Sequence, residues 1–441
     1  MMSRSLLPQN FRKLDVRERH AALSRALGLR EEEFEDDASL LDLADVMVES
    51  AVGVMPIPLG VATGFLIDGE RYDVPMATEE PSVVAAATYA ARITARAGGI
   101  STEADPPVMT AQIFQRPEST MDELSDALEA ETPRLEAVAR GALARMETRG
   151  GGFRALRTER ISEAGVMKVE IDVDVRDAMG ANLLNTVAED VQHEITRRCG
   201  GTPIMGVLTN AAQQRRVRAS FTLPVARLAR GGLSGPEVAD RIATASEVAD
   251  ADTGRAITHN KGVMNGITAV ALATANDTRG LEAAAHAWAA RSGTYRALSS
   301  FTVRGEELRG HLELPLVLAT VGGAVGFHPY ARRSLALLGD PGGSQLSRIA
   351  AAVGLAQNLA AIHALVSEGI QRGHMRLHAA RVAYKAGARG AQMREIGRLL
   401  WEHGDLSEEA ARALMRELDR KPPPENHNEN RVRKEQGGGS T

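Results

Sequence analysis

Hydrophobic and polar residues along this chain keep two distinct periods. Lys168, Glu170, Asp172 and Asp174 alternate with Val169, Ile171, Val173 and Val175, a period of two that predicts a half-buried strand over 166–175. Strands are also expected at 109–114, 153–161, 203–208 and 216–223, with helices at 119–147 and 181–198. The order β-α-β-β-α-β over 109–223 is that of a ferredoxin-like split βαβ unit. Helical spacing dominates on either side of it, so this unit reads as an insertion. Short helices are expected at 16–27 and 40–48. Asp68-Gly69-Glu70 lies between apolar runs and signals a β-hairpin. Pro81 is expected at the first position of an alanine-rich helix reaching about residue 97. Residues 235–292 read as mostly helical, 314–320 as strand-like, 345–369 as one long buried helix and 375–420 as a last helical unit. The tail 422–441 holds too few apolar residues to bury a core and is expected to be disordered.

Composition narrows the class. The chain has 441 residues, 44% hydrophobic and 25% charged, with a net charge of −5. That suits a soluble multidomain protein and offers no basic field for nucleic acid. The expected strands 153–161, 166–175 and 203–208 carry one aromatic, Phe153, where an RNA-binding sheet needs several. The single cysteine, Cys199, excludes a disulfide framework and fits a reducing, cytoplasmic compartment. The segments 50–67, 314–331 and 349–367 lack charged residues. Prolines or mid-span polar groups (Gln357, Asn358, His363) interrupt each one, so they read as core elements and no membrane partner is expected. The N-terminus is basic without an apolar core and does not read as a signal peptide.

Five strings stand out as candidate chemistry. In Glu79-Glu80-Pro81-Ser82 the proline holds Glu80 in extended backbone at the mouth of a helix, where capping and a functional carboxylate both fit. Asp177-Ala178-Met179-Gly180-Ala181-Asn182 joins a strand to a helix. A plain turn and an anion site at the helix N-terminus fit it equally, and Asp177 or Asn182 could meet a ribose. No Gly-x-Gly-x-x-Gly fingerprint follows a predicted strand. The run 255–266 concentrates polar groups around Lys261, before an apolar helix. A buried lysine there needs a carboxylate, and Asp277 of Asn276-Asp277 is one candidate, although helix capping explains it as well. In Glu368-Gly369-Ile370-Gln371-Arg372-Gly373-His374-Met375 two glycines form a joint that carries His374. His374 and His378 are four apart, but Met375-Arg376-Leu377 between them supplies no glutamate and no third ligand is evident, so no metal is expected. A histidine on a hinged segment suits proton delivery.

In this order and spacing, the strings resemble the soluble class II 3-hydroxy-3-methylglutaryl-CoA (HMG-CoA) reductases, over about residues 41–381. The resemblance implies an α+β fold with a large helix-rich domain (1–108 and 224–374) that binds HMG-CoA. It implies an inserted small ferredoxin-like NAD(P)-binding domain (109–223), a C-terminal helical flap (375–421) and a homodimer or dimer-based hexamer with active sites at the subunit interface. The reaction implied converts HMG-CoA to mevalonate and CoA by two hydride transfers from NAD(H) or NADP(H). By the same resemblance Lys261 steadies the oxyanion, Asp277 bridges Lys261 and Glu80, Glu80 supplies a proton to the aldehyde oxygen, and His374 protonates the departing CoA thiolate. Arg255, Ser82 and Asn265 match substrate-holding positions. Asp177, Met179, Gly180, Asn182 and Asn210 match the nucleotide-binding region. Two strings depart from the family pattern: Ser50 stands where Asn is usual, and Val325-Gly326 where many relatives carry a polar pair. Another NAD(P)-dependent oxidoreductase, acting on a CoA thioester or a hydroxy acid, is the alternative reading.

Overall fold

The computed structural model describes residues 38–420, preceded by 14, 15, 17, 18, 21, 22 and 25; the side chains of 38, 39, 370–377, 419 and 420 lie outside the description. The expected helix over 16–27 and the tail 422–441 therefore fall largely or wholly outside it. The chain divides into two compact units, Met1–Ser367 and Glu368–Thr441.

The first unit opens with α1 (Ala38–Met47) and the expected hairpin, β1 (Leu59–Ile67) and β2 (Glu70–Ala77). Asp68 and Gly69 both take positive φ (51° and 85°), as a two-residue hairpin turn requires. The helix that follows, α2 (Val83–Ala95), corrects the expectation for Pro81. Ser82, not Pro81, is its N-cap, with a left-handed φ of 75°, so Pro81 lies before the helix and shapes the entry turn. Next come β3 (Ser101–Ala104), β4 (Val108–Arg116), α3 (Met121–Ala142), a single turn α4 (Ala144–Glu147), β5 (Gly152–Ile161), β6 (Val166–Asp174), α5 (Ala181–Cys199) and β7 (Thr202–Leu208). The single helix expected over 119–147 is thus two, broken at Leu143.

Strands β5-β6-β4-β7 form one antiparallel sheet in that spatial order. Met109, Ala111 and Ile113 of β4 and Val169, Ile171 and Val173 of β6 face α3 and α5, where they meet Leu124, Leu128, Leu184, Val187 and Val191 in a core of their own. The opposite face carries polar pairs. Asp172 accepts from Thr110 (2.7 Å) and Gln214 (2.8 Å) and pairs with Arg157, and Lys168 pairs with Glu159 (2.6 Å). The alternation read at 166–175 therefore separates a dry face from an ion-paired one.

After this sheet the chain returns through β8 (Arg216–Pro224), α6 (Gly235–Ala251), α7 (Thr253–Ala273), α8 (Thr278–Ala289), β9 (Ser299–Arg304), β10 (Glu307–Pro315), α9 (Pro329–Leu337) and α10 (Gly343–Val366). Strands β3-β8-β10-β9 make a second four-stranded sheet. The strand expected at 314–320 is in fact the end of β10, which stops at Pro315; residues 316–320 lie outside the strand. The hairpin β9–β10, turning at Gly305, was not expected, because charged residues mask its period. Helix α10 is the centre of the larger core, ends at Val366 rather than at Gly369, and is almost wholly buried. Of the described residues it is the one helix long and apolar enough to cross a membrane, yet protein surrounds most of it. Two of its three mid-span polar groups are satisfied, whereas Gln357 Oε1 is buried without a hydrogen-bond partner among the described residues. Asn358 donates to His259 O (2.9 Å), and His363 meets Tyr89 Oη (3.0 Å) and Leu228 O (2.9 Å). Helices α7 and α10 touch backbone to backbone. A Cβ on Gly266 would lie 3.0 Å from Val353 O, and one on Gly354 2.7 Å from Ile267 Cγ1.

The second unit holds α11 (Ile370–Lys385), α12 (Gly390–His403) and α13 (Glu408–Arg420). Ala379, Val382, Ala383, Ile396, Leu400 and Ala411 form its small core.

Candidate active site

The polar run 255–266 does not precede a helix; it lies within α7. Asp252 caps that helix by accepting from Arg255 N (2.7 Å), and so starts it at Thr253. The helical period then sorts the run into two faces. His259 and Asn260 point inward, 1% and 0% exposed, whereas Lys261 points outward. Asn260 locks the helix to the loop before β9, accepting from Leu298 N (2.8 Å) and donating to Arg296 O (2.9 Å).

His259 makes a second lock. Ser299 Oγ donates to Asn358 Oδ1 (2.8 Å), so it accepts from His259 Nε2 (2.7 Å). That fixes the proton on Nε2. Nδ1 is buried with no hydrogen-bond partner among the described residues. Protonating it would strand a charge in the core, and burial, aided by nearby Arg255, pulls the His259 pKa down to about 4. The unfolded chain binds this proton from about pH 6.5. Stability is therefore full above pH 6.5 and falls as the pH drops toward 4, by about 3 kcal/mol from this residue. Denaturant unfolding at pH 7 and at pH 4.5 checks this: H259Q is expected to be less stable at pH 7 and to lose less on acidification than the parent.

With its neighbours anchored, Lys261 is set into a cleft of about 380 Å³ between the end of β2, one face of α7 and part of α8. Its Nζ lies 2.6 Å from Glu80 Oε2. Glu80 is held in the turn after β2, where its N–H donates to Thr78 Oγ1 (3.1 Å). The side chains are 57% and 36% exposed, so the pair is open to a ligand rather than sealed in the core. Asn265, one helical turn beyond Lys261, lines the same cleft, as do Ile257, Met264, Thr268 and Leu272. Ser82 stands two residues after Glu80 and makes no capping bond, which leaves its hydroxyl free of that duty. Arg255 does not line the cleft.

Sequence reasoning missed a polar chain along the cleft. Thr268 Oγ1 donates to Glu282 (2.8 Å), Glu282 meets His286 Nε2 (3.1 Å), and His286 Nδ1 meets Tyr295 Oη (2.7 Å). The readable signal was the four-residue spacing of Glu282 and His286 on one helix.

Asp277 is the N-cap of α8 and accepts from Arg279 N and Gly280 N. The structure does not place it between Glu80 and Lys261. It gathers instead with Asn210: a Cβ on Gly280 would sit 3.2 Å from Asp277 Oδ2 and 3.3 Å from Asn210 Oδ1.

The loop Asp177–Asn182 ends in an open helix N-terminus. Gly180 takes φ 89° and provides no side-chain cap to α5, so the first amide groups of that helix are available to an anion. A Cβ there would lie 2.6 Å from Val175 Cγ1, so glycine is required both by conformation and by space. Met179 is half-buried and Asn182 exposed in the first turn. Asp177 Oδ1 accepts from Gly343 N (2.8 Å), which ties the loop to the N-terminus of α10. His374 belongs to the second unit, on α11, and its side chain lies outside the described residues.

The comparison with known proteins decides the family. The family model for hydroxymethylglutaryl-coenzyme A reductase matches residues 15–379. The chain belongs to the hydroxymethylglutaryl-coenzyme A reductase family. It is 39% identical over 416 residues to the 3-hydroxy-3-methylglutaryl-coenzyme A reductase of Archaeoglobus fulgidus, covering 92% of this chain and 94% of that one. It is 36% identical over 378 residues to a probable reductase of the same name from Borreliella burgdorferi, covering 86% and 87%. Among solved structures it resembles the class II reductase of Streptococcus pneumoniae bound to NADPH in open conformations. That match has a TM-score of 0.72 and 38% identity, and covers 91% of this chain and 99% of that one.

Within the reductase family, the two sequence departures now have positions. Ser50 adopts left-handed backbone at φ 59°, a region asparagine tolerates better. Val325 is 4% exposed in a short 3-10 turn, Gly323–Gly326, so an apolar residue suits its place.

Proposed function

We propose that this reductase converts HMG-CoA to mevalonate and free CoA, with Lys261 and Glu80 as the reacting pair. The observation that carries this reading is their 2.6 Å contact in an open cleft. A fixed ammonium beside the thioester carbonyl stabilises negative charge as it develops on oxygen. Glu80, already on that ammonium, stands within reach to give a proton to the aldehyde oxygen in the second reduction. Asn265 and Ser82 would hold the hydroxymethylglutaryl portion. Arg255 would take its free carboxylate, with a guanidinium suited to that shape. We assign Asp277, close to Asn210, to the catalytic group that the assembled site brings to Lys261 and Glu80. His374 would protonate the departing thiolate.

Residues 109–223 are proposed as a ferredoxin-like nucleotide-binding domain. Their sheet order and the uncapped N-terminus of α5 support this. Gly180 lets the chain turn into α5 with the first amides of that helix exposed to a diphosphate, and Asp177, Met179, Asn182 and Asn210 would contact the nucleotide. A bound nicotinamide nucleotide, NAD(H) or NADP(H), supplies hydride there. G180A is expected to raise the KM for the nucleotide at least tenfold and to leave the KM for HMG-CoA unchanged, measured by steady-state kinetics with each substrate varied in turn.

The large domain would comprise 1–108 and 224–374, and 375–421 a flap that delivers His374. A homodimer, or a hexamer built from dimers, would complete the site at the interface. Exposed apolar side chains between residues 46 and 61 support it: Val46 is 73% exposed, Met55 84% and Val48 58%. Light scattering on the purified protein tests the assembly. We place the enzyme in the cytoplasm, since its one cysteine, Cys199, leaves no internal disulfide to form and fits a reducing compartment. Incubation with mevalonate, CoA and either oxidised nucleotide tests the function. Growth of the reduced-ring absorbance that requires both mevalonate and CoA supports it, and growth with a simple hydroxy acid alone would favour a different oxidoreductase.

A further inference from the structure

The chain crosses between the inserted sheet and the larger core twice, and one crossing is built around a buried cation. Asp105, on the way in, pairs with Arg216 (2.7 Å) and Arg218 (3.0 Å) in a partly exposed cluster. Arg215, on the way out, is 3% exposed. It has no carboxylate partner within hydrogen-bonding distance among the described residues. Its guanidinium donates to Ala178 O (3.2 Å) and to Leu318 O (3.0 Å). Ala178 belongs to the loop Asp177–Asn182, and Leu318 to the segment after β10. The same two segments meet at Thr320 N to Asp177 O (2.9 Å) and in a parallel bridge between Ala178 and Val321. The backbone of Arg215 is itself fixed: its N–H donates to Ala212 O (2.9 Å) and its carbonyl accepts from Leu316 N (3.1 Å).

We infer that Arg215 is a positioning residue for the nucleotide: its buried guanidinium clamps the Asp177–Asn182 loop against residues 316–321, so that Gly180 and the N-terminus of α5 are held ready for the diphosphate. The chemistry favours arginine in this place. A planar fork reaches two carbonyls on different segments at once, and an ammonium is a single point charge. Burial lowers its pKa to about 10, with Asp174 and Asp177 opposing that shift, so the group stays charged near neutral pH. Removing it leaves Leu318 O buried without this donor and frees Ala178 O. The loop would then keep its edge ties, Asp177 to Gly343 N and Thr320 N and the Ala178–Val321 bridge, but lose the side-chain tie between Ala178 O and Leu318 O. This inference rests on reading the loop as the nucleotide site.

Two variants test it in the full-length protein. R215M keeps the reach and removes the charge and both donors; R215K keeps the charge and removes the fork. Hydrogen–deuterium exchange of the amides at 176–184, without nucleotide, is expected to quicken at least tenfold in R215M while the middle of α10 is unchanged. In steady-state assays the KM for the nucleotide is expected to rise at least tenfold, with the KM for HMG-CoA within twofold of the parent; R215K is expected to fall between. Unchanged exchange in the loop overturns the inference. So does an equal rise in both KM values, or exchange that quickens throughout the first unit, since either marks a merely structural role. If R215M does not fold, R215K decides: a threefold or larger rise confined to the nucleotide KM supports the clamp, and parental values overturn it. Failure of the parent to bind either nucleotide would sink the reading of the loop, and the exchange measurement would still judge the clamp.

Discussion

K261A is expected to lose turnover of HMG-CoA by about 10²–10³-fold while keeping the fold of the parent. The loss corresponds to about 3–4 kcal/mol of transition-state stabilisation, the scale of removing one oxyanion donor. The fold should survive because Lys261 lies on the open side of α7, whose anchoring is done by His259 and Asn260. Its ion pair with Glu80 is exposed, and exposed pairs add little to stability. Thermal unfolding and steady-state turnover, measured on the same preparation, check both halves. Turnover within tenfold of the parent would remove Lys261 from the mechanism. A large fall in Tm would show that it supports the cleft rather than the chemistry.

H374Q is expected to separate the two reductions. Glutamine keeps a hydrogen-bond donor but does not exchange a proton near neutral pH. Reduction of the full thioester should fall by about 10²-fold or more, the scale of losing a general acid. Reduction of free mevaldehyde, which releases no thiolate, should be largely retained. Both assays share Lys261, Glu80 and the nucleotide loop, so a difference between them isolates the leaving-group step. Equal losses would give His374 a role in placing the substrate. No loss in either would move the assignment to His378, one turn along α11.

Much of this arrangement was legible before any coordinates. The period of two at 166–175 held because one face of β6 packs on helices and the other on charged neighbours, which is the condition that writes alternation into a strand. The Asp-Gly hairpin held because two successive left-handed residues leave few alternatives. Glu80 and Lys261 were named from strings 181 residues apart and meet at 2.6 Å. What failed was local chemistry set by tertiary contact. Pro81 looked like a helix start, but a left-handed Ser82 intervenes. The polar run around Lys261 read as a segment preceding an apolar helix because its inward members, His259 and Asn260, are polar; their partners Ser299, Asn358 and Leu298 are distant in sequence, and only the fold shows them. Arg215 was invisible for the same reason: its two acceptors are backbone carbonyls, which no side-chain motif announces.

The central claim is a thioester taken to an alcohol in one site, and its stoichiometry is the most direct measurement. Purified enzyme is given a limiting amount of HMG-CoA with excess reduced nucleotide. Loss of ring absorbance is followed beside release of free CoA thiol. The account predicts two nucleotides oxidised for each thiol released, with mevalonate as the product. One nucleotide per thiol, with aldehyde accumulating, or nucleotide oxidation without thiol release, would contradict it.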